Sequence, residues 1–319
     1  GKTDYSTLFN VFLGSGAGNS ATGAGDTATG YQALYSNTTG TLNSAFGYKA
    51  LYSNVTANQN SAFGYQALYA NTASYNSAFG YQALYTNSSG AYNTAFGRNA
   101  LRANATTNYN TAVGDSALIV SVGNCNTAVG SFALTSNLGG GHNTAVGHFA
   151  LYNNTTGPDN TAVGVQALYA NVSGGQNAAF GKNALANNTG SNNTSVGMYS
   201  LSLNTSGSQN TAVGEEALYN NLTSNGNVAV GYQALVTNAG ANNVAMGYRA
   251  LYANTTGTRN TAVGTQALYT NTTSSDSTAM GYQALNLSTG VQNTAVGSYA
   301  LALTTTGTSN AAMGYGALY

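Results

Sequence analysis

The sequence predicts an all-β fold, a single-chain parallel β-solenoid (a β-roll or β-helix) of about nineteen coils, each of about 16–17 residues. Three observations carry that expectation. One phrase recurs almost verbatim, as NSAFGYKALYSNVT from Asn43, NTAVGVQALYANVS from Asn160 and NTAVGTQALYTNTT from Asn260. Its glycine returns at Gly14, Gly30, Gly47, Gly64, Gly80, Gly97 and onward to Gly314, and such self-similarity at a nearly fixed period marks repeat architectures. Asn, Gly, Ser and Thr crowd each period at a density that opposes helix.

With the glycine as position 0, each element of the period follows in order. TAVG and QALY read as two short extended segments, separated by Gly and by an Asn/Thr/Ser/Gly-rich turn. From Gly30 on, position −2 is Ala except at Ser195, and +3 is Ala except at Ser200 in the same turn, so −2 and +3 are expected to face one tightly packed place. Position +4 is Leu from Leu34 to Leu318; Leu34, Leu51, Leu68, Leu84, Leu101, Leu118, Leu151 and Leu218 are named as its core ladder. Position −1 is large and apolar (Phe46, Phe63, Phe79, Phe96, then Val113, Met246) and is expected to line the interior with them. The shorter periods drop a residue in the loop, as in NTASYN against NSSGAYN, where a length change costs least. Residues 1–29 read as irregular N-terminal coils and 30–319 as one continuous repeat domain. Turns about 4.8 Å apart would make a rod of roughly 90 Å, and stacking creates the core that no turn has alone.

Asparagine recurs at −4 (Asn43, Asn60, Asn76, Asn93, Asn110) and at +7 (Asn37, Asn54, Asn71, Asn87). Identical amides at strand spacing can hydrogen-bond along the stack, and Asn tolerates left-handed turns, so both columns are expected to be ladders. Asn37, Asn87, Asn154, Asn171, Asn254 and Asn271 also match the N-glycosylation acceptor pattern, which arises automatically once NTT or NSS is the repeated turn. Tyr31, Tyr48 and Tyr65 at +1 and Tyr35, Tyr52 and Tyr69 at +5 form two further rows. Because +1 also accepts Arg98, Asp115 and Lys182, it is expected to point outward, where Tyr suits contact with sugars or protein.

Composition excludes several functions. With 7 Lys+Arg, 7 Asp+Glu and zero net charge, the clustered cations that nucleic acid or anionic lipid would need are missing. No apolar run approaches the roughly 18 residues that span a bilayer. The acids are scattered one per several turns, so no general acid/base pair is expected, and no cofactor or metal set is read. The glycines follow the coil period, not a nucleotide-binding spacing. Cys125, the single cysteine, excludes an internal disulfide framework.

The NTAVG and NSAFG segments resemble the NSVAIG-marked head repeats of trimeric autotransporter adhesins, and resemble more strongly the NTAxGYQAL repeats of phage tail-fibre-like and bacterial surface proteins, over residues 10–319. The resemblance implies a left-handed coil, trimerisation and a place outside the cell or on a virion. The coils of this chain are longer than the adhesin coil. The expected role is that of a non-catalytic, extracellular fibre or filament subunit assembling end to end or laterally with copies of itself. The alternative is a trimeric adhesin or tail-fibre segment holding surface glycans on its Tyr and Asn rows, and a Thr-array surface at −3 and +8 is a third, less favoured by the bulky Tyr rows. Tyr319 falls at +5 and Gly1 near +4 of their turns, close to whole coils, so one subunit is expected to be able to stack on the next.

Overall fold

A computed structural model describes residues 2–4, in backbone only, and residues 9–319; Gly1 lies outside them. The chain divides into two compact units, Gly1–Asp159 and Asn160–Tyr319. Each is a parallel β-solenoid without a helix among the described residues. In the first unit the strand Thr27–Thr29 pairs in parallel with Ser44–Phe46, that with Ser61–Phe63, and so on to Thr144–Val146. The register is residue on residue: Ala45 faces Ala62, and Phe46 faces Phe63. The second unit repeats the pattern from Thr161–Val163 to Ala311–Met313, with Ala262 opposite Ala279. The coil at Gly14 already obeys it, its strand Asn10–Leu13 pairing in parallel with Thr27–Thr29, whereas Lys2–Asp4 pairs antiparallel with Asn10–Leu13.

Most turns carry one short strand rather than two; among the described residues only the turns of Gly114 and Gly130 add a second, two-residue strand, Val120–Ser121 and Ser136–Asn137, which pair with each other in parallel. The QALY segment, expected to be extended, is a turn in which the second and fourth residues after the glycine are left-handed: Gln66 at φ 54° and Leu68 at φ 51°. It nonetheless keeps the ladder. Gln66 N donates back to Tyr48 O at 2.9 Å, and Leu68 N donates forward to Ala83 O at 3.0 Å. The reason lies in closure. A coil this short must turn several times, and alternating left-handed residues bend the chain while still aiming N–H and C=O groups along the stack, where each finds a partner. The glycine takes the sharpest bend. Gly130 sits at φ 134°, and a Cβ there would stand 2.6 Å from Gly147 O, so both conformation and space demand glycine.

The interior of a turn is small. Around Gly64 it holds Asn60, Ala62, Ala67, Leu68 and Asn71, all inaccessible to solvent. Position −1 does not belong to it. With the central alanine inward, its two strand neighbours must point outward, and Phe96 is 57% exposed and Met246 43%. The expectation that −1 lines the core is therefore corrected: from Gly30 on, the leucine at +4 is the large apolar side chain that the turns bury, joined in one turn by Val236. Ser195 and Ser200, where Ala pairs stand elsewhere, are fully buried and bonded hydroxyl to hydroxyl, so −2 and +3 do meet.

Candidate interaction surface: ladders inside, aromatic stacks outside

Two asparagine ladders stiffen each unit. Asn43 Oδ1 accepts from the backbone N of Asn60 at 3.0 Å, Asn60 Oδ1 from Asn76 N at 2.9 Å, and Asn76 and Asn93 serve Asn93 and Asn110 in the same way. In the second ladder Asn54 Nδ2 donates to Asn37 Oδ1 at 3.2 Å and Asn87 Nδ2 to Asn71 Oδ1 at 2.7 Å. A shared carbonyl joins them: Ala57 O accepts from both Asn43 and Asn54 at 3.0 Å. Both ends of these amides are used, which is what makes them tolerable inside an otherwise apolar coil. The candidate acceptors Asn37, Asn87, Asn154, Asn171, Asn254 and Asn271 all lie in the second ladder with no exposed surface, Asn171 Nδ2 donating to Gly174 O at 2.8 Å, for example. In the folded chain the nitrogen that would carry a sugar at these positions is therefore enclosed and already committed to the ladder.

One rung differs. Asp26 stands at −4 where neighbouring turns have Asn, fully buried, accepting from Asn43 N at 2.8 Å and from Asn37 Nδ2 at 2.8 Å. Burial pushes its pKa up to about 6 against the opposing pull of those hydrogen bonds.

The outward columns carry the candidate surface. Leu34, Leu51, Leu68, Leu84, Leu101 and Leu118, like Leu151 and, in the second unit, Leu218, are enclosed; beside them, on the outside, aromatic rings stack rung upon rung. Tyr31, Tyr48, Tyr65 and Tyr81 stack with centroids 5.1–5.3 Å apart. Tyr35, Tyr52, Tyr69 and Tyr85 do so at 5.2–5.3 Å. Phe46, Phe63, Phe79 and Phe96 form a third stack at 4.6–5.6 Å, and Tyr75, Tyr92 and Tyr109 a fourth at 4.8–5.0 Å. The rings are nearly parallel, Tyr52 and Tyr69 within 5°, as offset-stacked aromatics prefer. Tyr31, Tyr48 and Tyr65 are exposed, and the +5 tyrosines are half-buried. Lys49 bridges the two tyrosine columns, its Nζ 5.4 Å from the Tyr48 ring centre and 5.3 Å from that of Tyr52.

The Phe column was missed as surface, although a signal was present: from Gly30 on, −1 accepts Thr29, Phe, Val and Met, whereas the interior apolar columns at −2, +3 and +4 hold only Ala or Leu with Ser at one turn. The geometry also decides what the stacks can offer. A ring within a stack has both faces covered by its neighbours, so it presents an edge, and in the tyrosines a hydroxyl, to the outside. Only rings at a stack's end, such as Phe96 above which Val113 follows, have a free face.

Fold and surface together define a β-solenoid repeat protein built on asparagine ladders and aromatic stacks. No protein-family model, curated protein or solved structure matches the chain.

Proposed function

We propose that the chain is a structural subunit of an extracellular fibre, non-catalytic, which associates side by side with copies of itself through the Phe and Tyr stacks of residues 31–96. One observation carries the reading: two outward columns, Phe46 to Phe96 and Tyr31 to Tyr81, each leave large aromatic side chains partly or largely in water on four successive turns, three of them shared, and exposed apolar patches of this kind mark interaction sites. Periodicity selects the partner. A stripe that repeats every rung meshes along its length only with a surface of the same repeat, and a second copy has that repeat by construction. The resemblance to autotransporter heads and tail-fibre repeats supports a fibre role as well.

A glycan-holding adhesin is the alternative, and the covered ring faces count against it, because a sugar stacks on an aromatic face rather than an edge. The test is sedimentation of the wild type and of Phe63→Thr/Phe79→Thr, a pair that copies Thr29 at the same position. Association of the wild type and at least about tenfold weaker association of the variant, with unchanged circular dichroism, are expected. A wild type that stays monomeric at tens of micromolar sinks the proposal, and Tyr-dependent binding to immobilised glycans by that monomer would favour the adhesin.

A further inference from the structure

The acceptor pattern Asn-x-Ser/Thr also occurs off the ladders, at Asn153, Asn187, Asn192 and Asn286. All its other occurrences fall on ladder asparagines with at most 1% of their surface exposed. A sugar on one of those, Asn87 for example, would sit inside the coil with its hydroxyls unpaired and would displace the bond to Asn71 Oδ1. The four outlying positions differ among themselves. Asn153 and Asn286 are half-buried, and Asn286 Nδ2 donates to Gln266 O at 3.1 Å. Asn187 is exposed, but its Nδ2 donates to Ser202 O at 3.1 Å, and the hydroxyl of Thr189 in the same pattern donates to Thr205 O at 2.7 Å. Asn192 and its Thr194 are both exposed, and neither side chain is tied to another among the described residues.

The ladder itself sets up that presentation. Asn193 is a rung of the −4 column: its Oδ1 accepts from Asn210 N at 3.0 Å and its Nδ2 donates to Gly207 O at 2.8 Å. With Asn193 turned inward, the residues on either side of it face outward, so the amide and the hydroxyl of one acceptor pattern are offered to solvent together. The neighbouring rungs leave room. Gln176 and Gln209, which hold the Asn192 position in the turns before and after, are exposed and uncharged, and Thr194 lies between Ala178 and Thr211. On the second ladder the pattern is a by-product of a repeated NTT or NSS turn, whereas here an outward asparagine precedes the ladder asparagine and the strand threonine.

We infer that Asn192 is the asparagine on which this chain carries an N-linked glycan. In the step, Asn192 Nδ2 attacks C1 of the first sugar of a lipid-linked oligosaccharyl diphosphate. The N–C1 bond forms as the bond from C1 to the diphosphate oxygen breaks, the lipid diphosphate departs, and the amide proton passes to a carboxylate of the transferase. No oxidant or reductant is consumed. The inference rests on the extracellular reading, since a chain meets such a transferase during export, and it adds to that reading. Phe180 and Val196, 41% and 39% exposed, end the strands Ala178–Phe180 and Thr194–Val196, and a bulky, hydrated glycan on this turn would keep those strands from packing on another copy.

The experiment secretes the chain, behind an added signal sequence, from a eukaryotic cell line that glycosylates a co-expressed control protein. The folded, secreted fraction is mapped by mass spectrometry after enzymatic release of glycans in heavy-oxygen water, which leaves a labelled aspartate at each occupied position. The label is expected at position 192 and at none of the ladder positions, because a chain modified on the ladder cannot close its coil. Asn192→Gln, which copies Gln176 and Gln209, and Thr194→Ala, which copies Ala178, are each expected to abolish the glycan at 192 and to keep the circular dichroism spectrum. A folded fraction with position 192 unoccupied, or with a glycan on a ladder asparagine such as Asn87, overturns the inference. Because the added signal supplies export, that failure falls on the site alone and not on the extracellular reading.

Discussion

At the residue scale, Asp26 shows how the ladder treats a single exchanged atom. In the next turn Asn43 Nδ2 donates to the Ala57 carbonyl, and the corresponding carbonyl in the Asp26 turn, Gly40 O, accepts from Asn37 Nδ2 alone of the two ladder amides. A carboxylate there can offer that oxygen no hydrogen; a protonated carboxyl can. Burial raises the Asp26 pKa from its ordinary 3.8 to about 6, so the folded chain holds the proton more tightly than the unfolded one. Below pH 3.8 both states are protonated and the full contribution is present; as pH rises through the window up to about 6 the unfolded chain releases its proton first and stability falls. Urea unfolding at pH 4 and pH 7.5 should show the wild type losing on the order of 2 kcal/mol across that interval. Asp26→Asn, which restores the donor of the other rungs, should remove most of that dependence. An unchanged pH dependence in Asp26→Asn would place its origin elsewhere.

At the scale of one element, the asparagine ladder transmits structure from turn to turn, and the chain contains its own control. Asn76 Oδ1 accepts from Asn93 N at 3.0 Å while Nδ2 donates to Gly90 O at 2.8 Å and to Asn71 Oδ1 at 3.2 Å. Asn76→Ala strands a buried N–H and weakens the hold on a buried carbonyl, at a cost of about 2–4 kcal/mol. Ser277 occupies the same position in another turn, and its hydroxyl still accepts from Asn293 N at 3.3 Å. Asn76→Ser should accordingly lose less than half as much in denaturant unfolding, and equal losses for the two variants would show that the side-chain volume, not the ladder bond, is what matters. The aromatic stacks differ in kind. Their rings lie outside, so on the proposed reading Phe63→Thr/Phe79→Thr is expected to weaken association and leave the fold in place, whereas a change at Leu68, which is fully buried, is expected to act on the fold.

At the scale of the whole molecule, the repeat makes stability local. Each turn of a unit bonds only to the turns before and after it, so stability is close to a sum of neighbour terms. Deleting residues 81–97, one complete period in the first unit, rejoins Gly80 to Arg98 with every column in register. The product should keep its circular dichroism spectrum and melt within a few degrees of the parent. Deleting 81–88 alone should unfold the neighbouring turns, because it moves Leu and Asn columns out of line. A period deletion that abolishes folding would mean that distant turns, and not neighbours, hold the coil together.

The period, the solenoid class, the glycine and the inward Ala, Leu and Asn columns were legible in the sequence, because a stacked coil demands the same residue at the same place in every turn and repetition advertises that demand. The Ser195 and Ser200 pair even revealed a contact, since a compensating exchange at two columns in one turn betrays their proximity. Two matters were decided only by the folded chain. Which side of the strand Phe46 to Phe96 occupies depends on where the alanine before each of them points, and hydrophobicity alone misplaced it. That QALY turns rather than extends depends on closing so short a coil, for which Gln66 and Leu68 adopt a left-handed backbone their residue types do not announce.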